Sequence, residues 1–260
     1  MTEQMQKSAK MDRLLEIMKR LRKECPWDAK QTHHSLKRFL LEEAYEVLES
    51  IDEQNWDELS AELGDLLLQI VFHSEIASEE NRFDFDVVVD KISAKLVERH
   101  PHVFGDTSLN SAREVQQNWE HTKVQNERRG SLLEGIPQNA PALLQAQRLQ
   151  EKAATVGFEW DEIEDVFEKV EEELGELREA RKAQDRVAIQ AEFGDLIFAL
   201  VNLGRFLNVD SEDALHQTNK KFIRRFRYIE KKYKNPEAMK KATLKELDEY
   251  WNESKRTESS

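Results

Sequence analysis

VEEELGELREA at residues 170–180, followed by AEFGDLIFALVN at residues 191–202, is the stretch of sequence that decides the fold. A closely related passage occurs 130 residues earlier, as LLEEAYEVLES at 40–50 and AELGDLLLQIVF at 61–72. Each passage carries an E-x-x-E pair followed at the same distance by an E-x-x-D pair. The repeated acidic residues are Glu43, Glu46, Glu62 and Asp65 in the first copy, and Glu173, Glu176, Glu192 and Asp195 in the second. Repetition at a constant offset indicates an internal duplication.

Apolar residues recur with helical spacing along most of the chain. Only 8 glycines and 5 prolines occur among 260 residues, which leaves little material for the turns of a sheet. The sequence therefore predicts an all-α fold of two tandem helical bundles, with residues 101–111 as a loop. The predicted helices span residues 11–24, 34–54, 57–77, 85–99, 113–129, 142–154, 161–183, 186–207, 211–233 and 242–254.

The segment GSLLEGIPQNAP, residues 130–141, contains two glycines and two prolines and is the best candidate for a domain boundary. We therefore predict an N-terminal helical domain over residues 1–129, a linker over 130–141 and a C-terminal helical domain over 142–260.

Composition excludes several classes of partner and location. A formal net charge of −13 argues against a duplex nucleic acid or an anionic membrane as partner. Cys25 is the single cysteine, so no intrachain disulfide forms and a reducing compartment fits. The first ten residues lack the apolar core of a secretion signal, and the apolar stretch 196–203 is shorter than the ~20 residues of a membrane helix. These features predict a soluble cytoplasmic protein.

The repeated carboxylates have the spacing of a metal site. Residues three or four positions apart share a helix face, so Glu172, Glu173 and Glu176 can converge, as can Glu192 and Asp195. Hard oxygen ligands favour Mg²⁺, with Mn²⁺ as the alternative. A single E-x-x-E pair is more often a solvated helix face, and salt bridges to Lys or Arg would also satisfy buried carboxylates. Repetition at fixed spacing favours the metal interpretation.

A concentrated basic run follows the second acidic copy. NKKFIRRFR at residues 219–227 places Lys221, Arg224 and Arg225 at helical spacing. A basic surface stripe is the simpler explanation of such a run. In a chain this acidic, however, the combination of carboxylates and nearby cations indicates phosphate binding and metal-assisted phosphoryl chemistry.

Several segments of the chain together match one known family. They are residues 25–51, 62–77, RHPHVFGD at 99–106, SLLEGIP at 131–137, LQEKAATVGFEWD at 149–161, EEELGEL at 171–177 and 192–203. Over nearly its whole length the chain thus resembles the MazG family of nucleoside triphosphate pyrophosphohydrolases. This resemblance implies an all-α homodimer that hydrolyses a nucleoside triphosphate between its α and β phosphates with Mg²⁺, with sites at helix-bundle interfaces.

The resemblance also implies roles for individual residues. Glu173, Glu176, Glu192 and Asp195 would bind Mg²⁺, with Glu172 beside them as a further ligand or as the base that activates water. Lys169, Lys221, Arg224 and Arg225 would contact the triphosphate. Trp251 would stack on the base or cover the site, with core packing as an even alternative. The predicted substrate-binding set is Lys169, Glu172, Asn202, Lys221, Arg224, Arg225 and Trp251.

The offset of 130 residues allows the two copies to be compared within one chain. All four acidic positions are kept, whereas Asn202 corresponds to Phe72 and Arg224 to Ala94. The remaining pairs are Arg225 with Lys95, Asn219 with Val89, and Lys221 with Lys91. We therefore expect the C-terminal copy to catalyse and the N-terminal copy mainly to form the dimer, or to bind metal weakly.

The leading hypothesis is a house-cleaning hydrolase that acts broadly on ribo- and deoxyribonucleoside triphosphates. Two other hypotheses stay open at this point. One is a dimeric helical scaffold whose acidic groups hold cations structurally, and the other is a nucleotide sensor that binds without turnover.

Overall fold

The computed structural model describes residues 3–105, 111, 114–115 and 130–258, with side chains from residue 9 onward and up to residue 257. Most of the predicted helix 113–129 lies outside this part. Regular structure in the described residues is helical throughout, with no strand, which confirms the all-α prediction. The helices are α1 Glu3–Glu24, α2 His33–Asp52, α3 Trp56–Glu79, α4 Phe85–Arg99, α5 Pro101–Phe104, α6 Ala142–Ala154, α7 Ile163–Lys182, α8 Arg186–Phe206, α9 Ser211–Glu230, α10 Pro236–Met239 and α11 Leu244–Glu258.

One local prediction was wrong, because the expected loop at residues 101–111 begins with the short helix α5. His100 ends α4 and Pro101 takes the first position of α5. A proline fits that position because its fixed φ suits a helix and its missing N–H has no partner there in any case. The proline therefore separates two helices instead of opening a loop.

The chain divides into two compact units, Met1–Ser111 and Ala112–Ser260. The predicted domain limits at residues 129 and 142 stay a prediction. In the second unit, the buried Lys152 donates from Nζ to the carbonyls of Leu132 (3.0 Å) and Glu134 (2.9 Å). These bonds hold the start of segment 130–141 against α6.

Each unit contains the same helical hairpin, α2–α3 in the first and α7–α8 in the second. The connecting turns place Gln54 and Gln184 at positive φ, 54° and 55°. The next residues, Asn55 and Asp185, cap the following helix through their side chains. These turns are short enough to make each hairpin antiparallel, and their positions differ by the same 130 residues as the acidic motifs.

The hairpin of the first unit is closed by an apolar core in which α1 packs against α2 and α3. Met18, Leu36, Val71, Phe72 and Ile76 are buried there. Around them pack Leu14, Leu15, Phe39, Leu67, Leu68 and Phe85.

The hairpin of the second unit has fewer apolar side chains between its helices. Val166 of α7 and Ala199 and Val201 of α8 are buried, α6 lies against α8, and α9 packs on α11. This looser interior leaves room for the site described below.

One described helix, α8, is long and apolar enough to cross a membrane by length and composition. It also carries Glu192 and Asp195 and packs along α7. Helices at the centre of soluble bundles pass the same test, so this is weak evidence for a membrane span.

Candidate active site and metal centre

The α7–α8 hairpin brings three carboxylates together. One oxygen from each of Glu173, Glu176 and Glu192 lies within 4.8 Å of the others. Glu173 is 5% exposed, Glu192 is half-buried and Glu176 is exposed. Glu173 and Glu176 share one face of α7, and the antiparallel turn places Glu192 of α8 opposite them. The sequence therefore predicted three of the four proposed ligands as close neighbours.

Glu173 carries an oxygen that needs a partner. Its Oε1 atom lies 2.7 Å from the Nζ atom of Lys169, which also lies 3.1 Å from Oε1 of Glu172. Its Oε2 atom is buried, and no described residue hydrogen-bonds to it. A buried carboxylate oxygen without a partner costs free energy, whereas a hard divalent cation would satisfy it. The donor set is therefore suited to Mg²⁺ or Mn²⁺.

Mutual repulsion and neighbouring charges shift the pKa values at this centre. Partial burial and the carboxylates of Glu176 and Asp195 raise the pKa of Glu192. Hydrogen bonds to Glu173 and Glu172 raise the pKa of Lys169, so its ammonium stays charged. A bound cation would favour the charged form of Glu192, because it offsets the repulsion that raises its pKa.

A cavity of about 710 Å³ opens beside the carboxylates. Asp195 lies outside the group of three but lines this cavity together with Glu173, Lys169 and Asn202. The other lining residues are Leu133, Leu149, Gln150, Ala153, Gly157, Phe158, Glu159, Trp160, Phe198, Ala199 and Arg205. The cavity thus has a charged part near α7 and an aromatic part near the α6–α7 loop.

Arg205 is a cavity residue that our sequence analysis missed. Its guanidinium is mostly buried, forms an ion pair with Glu159 and donates from NH2 to Oδ1 of Asn202 at 3.0 Å. The helical spacing could have indicated Arg205, because it lies on the same face of α8 as Asp195 and Asn202. Phe158 and Trp160 were likewise not predicted, since the segment VGFEWD indicates only a helix break.

Three residues of this cavity have a buried polar atom without a hydrogen-bond partner among the described residues. These atoms are Gln150 Oε1, Glu173 Oε2 and Arg205 Nε. Gln150 is fixed with its oxygen free, because its Nε2 donates to the carbonyl of Phe198 at 2.8 Å. Unpaired buried polar groups are rare, so their concentration here indicates a place for a polar ligand.

Five residues of the predicted substrate-binding set do not line this cavity: Glu172, Lys221, Arg224, Arg225 and Trp251. Trp251 is half-buried and packs against Phe222, with ring centroids 5.2 Å apart, while the guanidinium of Arg225 lies 5.6 Å from its ring centre. These contacts join α9 to α11. The roles of the five residues toward a substrate stay predictions.

The first copy holds a similar acidic group but a different interior. Glu43, Glu62 and Asp65 lie within the same 4.8 Å limit, and Glu46 is outside the group. Partial burial and neighbouring carboxylates raise the pKa of both Glu43 and Glu62. The residues that replace Lys169 and Asn202 at the 130-residue offset are Phe39 and Phe72, which pack in the apolar core. Rings therefore occupy the space next to the first acidic group.

Comparison with known proteins finds one family model and several relatives. The model of the MazG nucleotide pyrophosphohydrolase domain matches residues 31–104 and 162–229. Nucleoside triphosphate pyrophosphohydrolase/pyrophosphatase MazG of Thermotoga maritima is 45% identical over 249 residues, covering 94% of this chain and 95% of that protein. Nucleoside triphosphate pyrophosphohydrolase of Escherichia coli K12 is 44% identical over 257 residues, covering 95% of this chain and 98% of the relative.

Two further matches cover only part of one of the two compared chains. Uncharacterized protein YabN of Bacillus subtilis is 47% identical over 239 residues, which is 90% of this chain and 49% of that protein. The crystal structure of mazG-related protein from Thermotoga maritima is 28% identical, covers 43% of this chain and 97% of that one, and has a TM-score of 0.39.

Proposed function

This chain belongs to the MazG nucleotide pyrophosphohydrolase family and is a nucleoside triphosphate pyrophosphohydrolase; from that premise we propose that its C-terminal copy carries the activity. The reaction takes a nucleoside triphosphate and water to a nucleoside monophosphate and pyrophosphate. We further propose that it acts in the cytoplasm on ribo- and deoxyribonucleoside triphosphates as a house-cleaning activity.

The assignment of the activity to the C-terminal copy rests on one observation. The buried, unpaired Oε2 of Glu173 belongs to the three-carboxylate group and to the wall of the 710 Å³ cavity. That volume is within the range of sites for small organic ligands, about 300–1,000 Å³. Glu173 therefore belongs both to the proposed metal centre and to a cavity of ligand size.

Glu173, Glu176 and Glu192 would hold Mg²⁺, with Asp195 beside them and Mn²⁺ as a substitute. When bound, the ion supplies charge neutralisation for phosphate oxygens and for the leaving pyrophosphate. Lys169 lies next to the same carboxylates and presents an ammonium that can contact a phosphate oxygen.

The protein residues must also handle the proton of the attacking water. Its oxygen bonds to the α-phosphorus, the bond from that phosphorus to the oxygen bridging to the β-phosphorus breaks, and pyrophosphate leaves. Glu172 is exposed and fixed by Lys169 at 3.1 Å, so we assign it the role of base that accepts the proton.

Removal of divalent metal is expected to reduce pyrophosphate release to the uncatalysed background. Without a bound ion, Lys169 offsets only part of the charge of Glu173, Glu176 and Glu192, so these carboxylates would repel the phosphate tail. Adding Mg²⁺ or Mn²⁺ back after EDTA treatment should restore the rate, measured as pyrophosphate formed from mixed nucleoside triphosphates. Full turnover without metal would contradict the metal assignment.

The same assay separates the competing functions. A structural scaffold would give no product with or without metal and no nucleotide binding by calorimetry. A sensor would bind nucleotide with measurable heat and release no pyrophosphate.

The N-terminal copy, in contrast, is proposed to support assembly. Phe39 and Phe72 take the positions of Lys169 and Asn202 and pack in its core, so the room for a triphosphate is lost. Its acidic group of Glu43, Glu62 and Asp65 would bind metal weakly at most.

We also propose that the protein is a homodimer through the first unit. Helix α4 has an apolar stripe, Val89, Ile92 and Leu96, and all three side chains are exposed. Arg99 is the one residue of α4 that is buried within the described structure. An amphipathic helix with an exposed apolar face typically meets another protein surface.

The double substitution Ile92→Glu with Leu96→Glu is expected to convert the dimer to monomer, because two carboxylates would be buried without partners at the interface. Light scattering after size exclusion would report half the mass of the wild type. The control is Leu244→Glu, at a leucine of the second unit that is more exposed than either Ile92 or Leu96. A monomeric wild type, or a double variant that stays dimeric, would contradict this interface.

A further inference from the structure

A pair of histidines joins α2 to α3 in the first unit. Nδ1 of His33 lies 2.7 Å from Nδ1 of His73, and both side chains are half-buried. The ring planes are within 2° of parallel, and the ring centres are 5.0 Å apart. Atoms of rings stacked face to face stay about 3.5 Å apart, so the two imidazoles meet at their edges instead. The contact is therefore a hydrogen bond between ring nitrogens of the two helices.

This hydrogen bond limits the number of protons that the two rings can hold. One Nδ1 must carry the hydrogen and the other must offer its lone pair, so the neutral rings are different tautomers. One further proton can be added at Nε2 of the donor ring. A second one would place two N–H groups against each other at the 2.7 Å contact, and the hydrogen bond would be lost. The doubly charged pair is thus incompatible with this contact.

The surroundings of both rings disfavour positive charge. Burial, followed by the charge of His33, lowers the pKa of His73. His33 is the first residue of α2, directly after the capping residue Thr32. The positive end of the helix dipole lies there and opposes a cation. Charging the pair therefore costs free energy at each of its two rings.

Charged side chains of the neighbouring elements are engaged with one another. Arg22 of α1 donates to Oε1 of Glu79 of α3 at 2.9 Å. The remaining charges near this contact of α1 with α3 interact within the same cluster: Lys19, Lys23, Asp28 and Glu75. Among the charged groups of the described residues, those of α4 included, His33 is the one whose charge acts on His73. The response of this contact to protons is therefore set by the two histidines themselves.

The second copy has aliphatic side chains at the same two positions. At the 130-residue offset, Ile163 corresponds to His33 and Leu203 corresponds to His73, and both are half-buried. Apolar side chains of similar size can thus occupy these positions in the same kind of hairpin. The hairpin does not require a histidine pair, so the hydrogen bond gives the first copy a property that the second copy lacks at this place.

We propose that the His33–His73 pair is a pH-sensitive contact that fastens the start of α2 to α3 at neutral pH and releases it in acid. Protonation of both rings breaks the hydrogen bond and leaves two like charges side by side. The pKa of His73 lies below its ordinary value of 6.5, so its contribution to stability is complete above that pH and is lost as the pH falls through the lowered value. Release loosens the first unit, whereas Ile163 and Leu203 keep their contact in the second.

Hydrogen exchange measured on peptides by mass spectrometry tests this in the full chain. Between about pH 7.5 and about pH 5.5, protection at the start of α2 and in the second half of α3 is expected to fall about tenfold after correction for intrinsic exchange, because one linked proton changes an opening equilibrium by up to about tenfold per pH unit. The double variant His33→Ile with His73→Leu should change by less than about twofold. His34→Ala, at the exposed neighbouring histidine, is the control and should respond like the wild type.

A measurement on the wild type alone serves if the double variant does not fold. At neutral pH, the ¹⁵N shifts of the imidazoles should show one ring of the pair protonated on Nδ1 and the other on Nε2. Two rings protonated only on Nε2 would exclude the hydrogen bond and overturn the inference. Wild-type protection that does not change with pH, or an equal loss in the double variant, would also overturn it, because the histidine pair would then not be the acid-sensitive contact.

Discussion

Glu173→Gln is expected to lower kcat for pyrophosphate release by about 100- to 1,000-fold, the range for removing one preorganised electrostatic group. The substitution keeps the size of the side chain but removes its charge. Glu173 is the buried member of the carboxylate group, and its Oε2 atom has no partner among the described residues. Lys169 keeps Glu172 as a partner, so the local helix should survive. The effect should therefore fall on metal binding and rate, measured by Mn²⁺ titration and by pyrophosphate release.

Glu43→Gln is the matched control, since Glu43 holds the equivalent position in the first copy. It also belongs to an acidic group of three, with Glu62 and Asp65. We expect its rate to stay within about twofold of the wild type, as for substitutions away from a site. If Glu43→Gln abolishes turnover and Glu173→Gln does not, the assignment of catalysis to the C-terminal copy is wrong.

Sequence predicted the helices well because helical periodicity is a local property. The hairpin turn at Gln184 falls between two predicted helices, whereas Gln54 was predicted as the last residue of a helix that ends at Asp52. The caps at Asn55 and Asp185 follow known preferences. The prediction failed at residue 101, where proline starts a second short helix. Proline disfavours a helix before it and fits the first turn of one after it, so the sequence alone allowed both outcomes.

The site was predicted only in part, for a related reason. Glu173, Glu176 and Glu192 could be paired because residues three apart share a helix face and the motif is written twice. Phe158 and Trp160 lie in a loop, where no periodicity indicates which side chains face the same cavity. Their position depends on the ion pair of Glu159 with Arg205, a contact between distant segments.

The two copies differ mainly in what fills the space between their helices. The acidic residues are kept at every position, while Lys169 and Asn202 are replaced by rings that pack with Met18 and Leu36 in the first unit. Apolar filling stabilises a small domain, whereas an open cavity with charged walls does so less. The first copy thus has apolar side chains at positions where the second copy has residues of its candidate site.

This difference between the copies can be tested by giving the second copy a residue of the first. Asn202→Phe introduces the residue found at position 72, where the ring is 3% exposed in the core. The ring would occupy the cavity near Asp195 and Arg205, and displacing a substrate by even about 1 Å can cost 100-fold in rate. We expect a loss of kcat/KM of that order, with Mn²⁺ binding retained and a thermal unfolding midpoint equal to or above that of the wild type.

Asn202→Phe both fills the cavity and removes the amide, and Asn202→Ala distinguishes these two effects because it only removes the amide. It removes the acceptor of the 3.0 Å bond from Arg205 but leaves the cavity open, so we expect stability to fall by roughly 1 kcal/mol and kcat/KM to fall much less than in Asn202→Phe. Equal losses in Asn202→Ala and Asn202→Phe would mean that the amide contact matters and the volume does not. A fully active Asn202→Phe protein would show that substrate does not enter this cavity, because the ring leaves no room for a phosphate chain beside Asp195.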